Sequence, residues 1–284
     1  MTTRNRKLEE DSEVWTHNSW DDVAWSPELA SSADAVISAQ LAVSPHLANP
    51  DAVLEVVQTP ASQNWHKFYE NHSRWFFKDR KWLSSEFPEL FVADTVLEVG
   101  CGAGNTVFPL ARENPTVMIH ACDFAPSAVK LVREFREFDE QRMHVFQHDL
   151  SSPDQFEDIS DNSIDVVVSI FVLSALDPAK LPIALEKIWR VLKPGGMLLF
   201  RDYGKYDMTQ LRFKANRLIR PDLYVRGDGT AVHYFTEEEM VVLAAQTGFE
   251  MVSNVTDRRL LVNRHRKLTM YRIWVQSKLR KPIN

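Results

Sequence analysis

Residues 95–104 read Thr-Val-Leu-Glu-Val-Gly-Cys-Gly-Ala-Gly, an apolar run that ends in three glycines at alternate positions. Gly100, Gly102 and Gly104 carry no Cβ, so the chain can turn sharply there and a ligand can reach bare backbone. A second apolar run, Val117 to Ala121, leads to Cys122 and Asp123. An acid at the tip of the next strand is where a doubly wound sheet holds a ribose. Dinucleotide enzymes place G-x-G-x-x-G before their first helix. Here Gly-Cys-Gly-Ala-Gly-Asn lacks the third glycine at that spacing. A pyrophosphate also needs free helix N–H groups. The alternate-glycine turn, preceded by Glu98, suits a nucleoside cofactor without phosphate. Its amino-acid end would lie on the turn and its ribose at Asp123, which describes S-adenosylmethionine.

The elements that must position these residues alternate along the chain. Strands are expected near 95–99, 117–122, 143–147, 164–170 and 196–201, with helices near 105–112, 125–136 and 180–192. Short apolar runs alternating with amphipathic helices imply a parallel sheet covered on both faces. Lys193-Pro194-Gly195-Gly196 breaks the chain before the last of these strands. Thr236 caps a further helix with Glu237, Glu238 and Glu239 in its first turn. Residues 249–256 and 269–277 then read as strands. Upstream, Trp65, Phe68, Tyr69 and His72 fall at helical spacing after Ser62. A short helix fits Arg80 to Phe87, before Pro88. Residues 1–60 read as an acidic extension, with a Trp-rich patch (Trp15, Trp20, Trp25) docked on the main domain and weak helix over 30–58. Residues 61–91 read as a helical aromatic-basic lid, and residues 92–284 as the catalytic domain.

The net charge of −6 argues against nucleic acid until its distribution is considered. Residues 1–60 hold ten acids and three bases, whereas residues 258–284 hold nine Lys/Arg and no acid. Arg74, Lys78, Arg80 and Lys81 are interleaved with Trp75, Phe76, Phe77 and Trp82, and Arg212, Lys214, Arg217, Arg220 and Arg226 form a third group. Three basic groups, one full of aromatics, point to an RNA-binding rim. No apolar run approaches the roughly 18 residues of a membrane span. Met1 to Glu13 has no apolar core, and its early acids do not suit a mitochondrial presequence. The two cysteines, Cys101 and Cys122, lack partners at metal-ligand spacing. A cytoplasmic protein with no resident metal and no membrane contact is expected.

Several stretches carry a family resemblance. Leu97-Glu98-Val99-Gly100-Cys101-Gly102-Ala103-Gly104 resembles the first motif of class I methyltransferases. Cys122-Asp123 and His148-Asp149-Leu150 resemble their second- and third-strand acidic positions, and Arg190 to Gly196 resembles the segment before strand five. Asn64 to Tyr69, Phe76 to Trp82, Ile170 to Ala175, Phe200 to Gly204 and Tyr224 to Thr230 are similar to the tRNA (cytidine-N3)-methyltransferases. His17 to Asp21 and Met270 to Gln276 resemble the branch acting on threonine tRNAs. The resemblance covers nearly the whole chain after about residue 14.

This resemblance implies a Rossmann-like fold: a seven-stranded, mostly parallel sheet with helices on both faces and an N-terminal helical extension. It implies methyl transfer from S-adenosylmethionine to N3 of a cytidine at the start of a tRNA anticodon loop. It puts Trp65, Tyr69, Gly100, Gly102, Asp123, Asp149, Leu150 and Ile170 at the cofactor, with Asp123 on the ribose and Asp149 on the adenine amine. Asp202, just past strand five, would hydrogen-bond the cytosine amine, and Tyr203 would stack on the base. Lys78, Arg80, Arg201, Arg226, Arg264, Arg266 and Lys267 are the cations expected to meet RNA. A synthetase or helper subunit is a further expected partner. The rival readings are a methyltransferase of proteins or small molecules, and an inactive partner subunit. Intact Gly100, Gly102, Asp123 and Asp149 argue against the second.

Overall fold

A computed structural model describes residues 6–48, 61–71 and 78–283. The strands in chain order are β1 (Ser19–Trp20), β2 (Thr95–Val99), β3 (Met118–Asp123), β4 (Met143–Gln147), β5 (Ile164–Ile170) and β6 (Leu192–Tyr203). They continue as β7 (Leu218–Arg220), β8 (Leu223–Val225), β9 (Ala231–His233), β10 (Glu250–Asn263) and β11 (Leu268–Arg280). The main sheet has the order β1-β10-β11-β6-β5-β2-β3-β4. Strands β2 to β6 pair in parallel, while β11, β10 and β1 are added antiparallel. The order doubles back between β2 and β5, so the carboxyl ends of these two strands open a crevice.

Strands buried on both faces read as continuous apolar runs. This is why Val96–Val99 and most of β5 carry almost no exposed residue. On one face Leu198, Phe200 and Val275 pack against helix Leu181–Val191 and helix Glu237–Gln246. On the other, Val166, Val168 and Leu199 pack against helix Val107–Glu113 and helix Pro126–Arg133. Thr236 caps its helix as expected, its side chain accepting from the Glu239 amide.

Three features differ from the sequence expectation. The sheet has eight strands, because Ser19–Trp20 pairs with Leu260 and Leu261 of β10. Trp20 is buried on Leu260 and Val262, and its indole N–H donates to the Val14 carbonyl at 3.0 Å. The aromatic patch of the extension thus covers strand surface that the domain leaves open. The last two strands are also longer than 249–256 and 269–277, because charged residues such as Arg258, Arg259 and Lys278 interrupt their apolar pattern. Finally, β7, β8 and β9 form a separate three-stranded sheet over Tyr224 and Tyr234. Strands of three residues carry too little alternation to read. This sheet is tied to helix Pro27–Val43, where Gln40 accepts from the Tyr224 hydroxyl at 2.7 Å and donates to the Phe213 carbonyl at 2.8 Å. Of the expected weak helix, residues 49–58 lie outside the described residues. So do His72, Arg74, Trp75, Phe76 and Phe77.

Candidate active site

The turn after β2 uses the freedom its glycines provide. Gly100 and Gly102 have φ of +63° and +52°, left-handed values that cost residues with a Cβ about 1 kcal/mol. Space is equally restrictive. A Cβ on Gly100 would lie 2.4 Å from Val172 Cγ2, and one on Gly102 would lie 2.5 Å from the Tyr69 hydroxyl. The Cys101 amide donates to the Cys122 carbonyl at 2.9 Å and so staples the turn to the end of β3. Asp123 completes the staple: Oδ2 accepts from the Gly102 amide and Oδ1 from the Ala125 amide, both at 2.9 Å. Burial pushes the Asp123 carboxyl up to about 6, against the pull of the Ala125, Gly102 and Phe124 amides.

Two adjoining hollows open above this turn. The first, about 450 Å³, is bounded by Gly100 to Ala103, Ile170, Ser174, Tyr203, Lys78 and Arg226. The second, about 480 Å³, is bounded by Asp123, His148, Asp149, Leu150, Val172 and Lys180. Trp65, Tyr69, Gly100, Phe171 and Ala175 line both. All eight residues expected at a cofactor therefore line one hollow or the other. Trp65 and Tyr69 sit four apart on helix Ala61–Asn71 and stack with ring centroids 6.0 Å apart. The helix is seated by Asn64, which donates to the Gly229 carbonyl at 2.9 Å, and by Ser127, which donates to the His66 carbonyl at 3.0 Å. The Trp65 indole nitrogen is buried and has no partner among the described residues.

Phe171 lines both hollows at φ +59°, a left-handed conformation for a residue with a large side chain. Such strain clusters at binding sites. Sequence reasoning missed this residue, because nothing in its type marks a left-handed backbone. Ser174 and Ala175, which follow β5 at the same carboxyl edge, were noted within the Ile170 to Ala175 resemblance but given no role. Position past a strand end was the available signal.

Burial corrects two expected roles, and a third candidate, Arg80, is engaged by partners within the protein. Asp202 is fully buried and does not border either hollow. Its carboxylate accepts from the Ser174 and Tyr203 amides at 2.9 Å each, so it holds two wall residues in place rather than meeting a base. Arg201 is 4% exposed. Its guanidinium is bound by Asp257 and Gln276 and lies between Trp82 and Trp274, 5.1 and 4.8 Å from their ring centroids. It is held inside the protein and is not available to a phosphate. Arg80, 20% exposed, lines the first hollow and donates to Glu98 at 3.2 Å, Thr106 at 2.6 Å and the Ile170 carbonyl at 3.2 Å, so its guanidinium joins three elements of the wall. Burial raises Glu98 to about 7 although the Arg80 guanidinium opposes the shift.

The remaining candidates are peripheral. Tyr203 borders the first hollow with the Arg226 guanidinium 5.5 Å above its ring. Lys78 is exposed at the same mouth. Arg264, Arg266 and Lys267 occupy the tip of the β10–β11 hairpin, where Arg264 donates to Asn18 at 2.8 Å and Lys267 lies 4.8 Å from the Trp15 ring. Trp274 pairs with Tyr203 in antiparallel register. The six residues from there to Leu268 carry the tip about 20 Å past the carboxyl edge.

Residues 97–198 match the family described as a methyltransferase domain. A SAM-dependent methyltransferase from Methanosarcina mazei superposes with a TM-score of 0.53 at 20% identity, covering 73% of this chain and all of that one, a likeness of fold. The tRNA(Thr) (cytosine(32)-N(3))-methyltransferase of Saccharomyces cerevisiae is 43% identical over 96% of this chain and 44% of its own length. The tRNA N(3)-cytidine methyltransferase METTL2 of Danio rerio is 41% identical over 97% of this chain and 88% of its own. With that identity over nearly its whole length and most of its relative's, this chain belongs to the tRNA N(3)-cytidine methyltransferase family.

Proposed function

We propose that this protein transfers a methyl group from S-adenosylmethionine to N3 of the cytidine at position 32 in threonine tRNAs. The observation that carries the reading is the pair of hollows meeting at Gly100, Phe171 and Ala175 in a chain of this family. The residues fit the cofactor: Gly100 and Gly102 leave a cradle that a Cβ would fill, and the Trp65 indole nitrogen is buried without a partner among the described residues. The second hollow is read as the nucleoside end, with Asp123 accepting from ribose hydroxyls, Asp149 at the adenine amine and Leu150 against an apolar edge, while Ile170 borders the adjoining first hollow. Asp123 oxygens already bonded to amides keep further lone pairs for a hydroxyl. Gly100 and Gly102 would face the amino-acid end.

When bound, S-adenosylmethionine supplies a methyl group on a cationic sulfur. N3 of neutral cytosine carries an in-plane lone pair and no proton, so no side chain has to act as a base. The methyl group would pass to that lone pair as the sulfur retained the C–S bonding electrons, and the positive charge would come to rest on the base. The chain's contribution is alignment and electrostatics. Tyr203 and Phe171, with ring centroids 5.0 Å apart, offer π-faces that favour a flipped and then cationic base. Asp202 acts through its bonds to Ser174 and Tyr203 as a positioning residue. Lys78, Arg226, Arg264, Arg266 and Lys267 are assigned to the tRNA backbone. The acidic extension is assigned to a protein partner such as a synthetase or helper subunit. No helix among the described residues is long and apolar enough to cross a membrane.

The test uses a threonine tRNA transcript and its position-32 C→U variant, each incubated with labelled cofactor. Label should enter the first as 3-methylcytidine and not the second. Equal labelling of both, or labelling of bulk protein instead, would overturn the assignment.

A further inference from the structure

Helix Leu181–Val191 buries Ala184, Ile188 and Val191 on one stripe, and Lys187 lies on that same stripe. Lys187 is 1% exposed. A buried ammonium is tolerated only where acceptors replace its water. All four of its partners come from one short segment, the loop after β4. Nζ donates to the Asp149 carbonyl at 3.2 Å and the Leu150 carbonyl at 3.1 Å, and lies 3.4 Å from both Ser152 Oγ and His148 Nε2. None of the four is a carboxylate. The Asp149 carboxylate is held locally instead, its Oδ1 accepting from the Ser151 amide at 2.8 Å and hydroxyl at 2.7 Å. The loop is thus wrapped around a single cation, with its main chain facing the helix and Asp149 bordering the second hollow. Burial draws Lys187 below the ordinary lysine value, with Asp149, Asp154 and Cys122 opposing, and draws His148 down as well, with Lys187 adding to the effect.

We propose that Lys187 is a positioning residue for base recognition in the cofactor: by fixing the carbonyls of Asp149 and Leu150 it aims the Asp149 carboxylate at a 6-amino purine. The proposal rests on reading the second hollow as the nucleoside site. It separates base selection from ribose binding. The Asp123 carboxylate is fixed by the Gly102 and Ala125 amides, so losing Lys187 should affect the purine and leave the ribose contact intact.

Binding of S-adenosylhomocysteine and of its deaminated analogue, S-inosylhomocysteine, to the full chain tests this. The analogue replaces the amine donor with a carbonyl. The wild type should favour the adenine compound at least about tenfold, the scale of one hydrogen bond to a charged group. Lys187→Met keeps the apolar stem and removes the charge. It should lose about tenfold in affinity for the adenine compound, change less than about twofold for the inosine compound, and so lose most of the discrimination. Lys187→Arg, which retains a cation, should recover part of it. Lys187→Gln serves if the Met variant does not fold. Wild-type discrimination in any folded variant that lacks the charge overturns the proposal. Failure of the wild type to bind either compound overturns the cofactor reading instead, so the two failures are distinguishable.

Discussion

The turn after β2 and the rim beyond β6 both concentrate polar groups at the carboxyl edge of one sheet, and they hold them by different means. At the turn, Asp123 is fixed by main-chain amides within two residues of itself and by Gly102. At the rim, Arg201 is fixed by side chains 56 and 75 residues away, Asp257 and Gln276, and by two tryptophan rings. The turn depends on the absence of a few atoms, whereas the rim depends on partners brought together only by the finished fold. Single substitutions should therefore act on ligand binding at the turn and on folding at the buried part of the rim.

The largest expected effect tests the rim. Arg201→Ala removes a buried guanidinium and leaves Asp257 paired with Arg259 at 3.3 Å, so the loss should lie at the lower end of the roughly 3–5 kcal/mol that breaking a buried pair costs. Denaturant unfolding should show this loss. Lys78→Ala, at an exposed position, should stay within about 0.5 kcal/mol of wild type. Equal stability for the two variants would erase the contrast between buried and peripheral cations.

The next effect tests the turn. Gly102→Ala imposes a left-handed Cβ and drives the Tyr69 ring out of its position between the two hollows. Affinity for S-adenosylhomocysteine should fall about 30-fold, equivalent to about 2 kcal/mol, with a much smaller change in melting temperature. Calorimetric titration that finds affinity within threefold of wild type would show that the ring moves aside freely.

How much of each region was legible follows from the same distinction. Gly100, Gly102, Asp123 and Asp149 were readable because each is defined by its immediate neighbours in sequence. Helix spacing alone put Trp65 and Tyr69 on one face. The charges of Arg80 and Arg201 were visible, but their partners were not. Glu98 lies 18 residues from Arg80 and Asp257 lies 56 residues from Arg201. A basic residue beside aromatics reads the same whether those aromatics enclose it or flank it on a surface. The left-handed Phe171 and the three-residue strands β7 to β9 left no pattern to find. Lys187 did leave one, a cation on an otherwise apolar helical stripe.

Acidity separates the turn from the structure beneath it. Glu98 is raised from its ordinary value to about 7, so the folded protein binds a proton there that the unfolded chain releases near 4.5. Its contribution to stability is fully present below about 4.5 and is lost as pH rises through about 7. Unfolding free energy should be greater at pH 5 than at pH 7, on the order of 2 kcal/mol from this group, and Glu98→Gln should flatten the slope. Cofactor affinity should run the opposite way. Asp123, raised to about 6, accepts best from hydroxyls when ionised, so affinity should climb as pH passes through that value. Stability that rose with pH over this range would contradict the raised carboxyls of both Glu98 and Asp123.

The smallest effect concerns the cations at the mouth. Lys78 and Arg226 border the first hollow at its open side, and Arg226 also donates to Thr230 and the Ala231 carbonyl, which leaves its head restrained but within reach of solvent. A phosphate contact of this kind gives position without sequence information. Replacing either with Ala should weaken tRNA binding a few-fold, uniformly across tRNA sequences. Each change should lower the slope of log affinity against log salt by about one. Arg201→Ala, measured on the folded fraction, should leave that slope unchanged, because its charge is already neutralised by Asp257. A reduced slope in Arg201→Ala would place this arginine on the RNA side of the rim after all. It would also mean that the pair with Asp257 opens when tRNA binds.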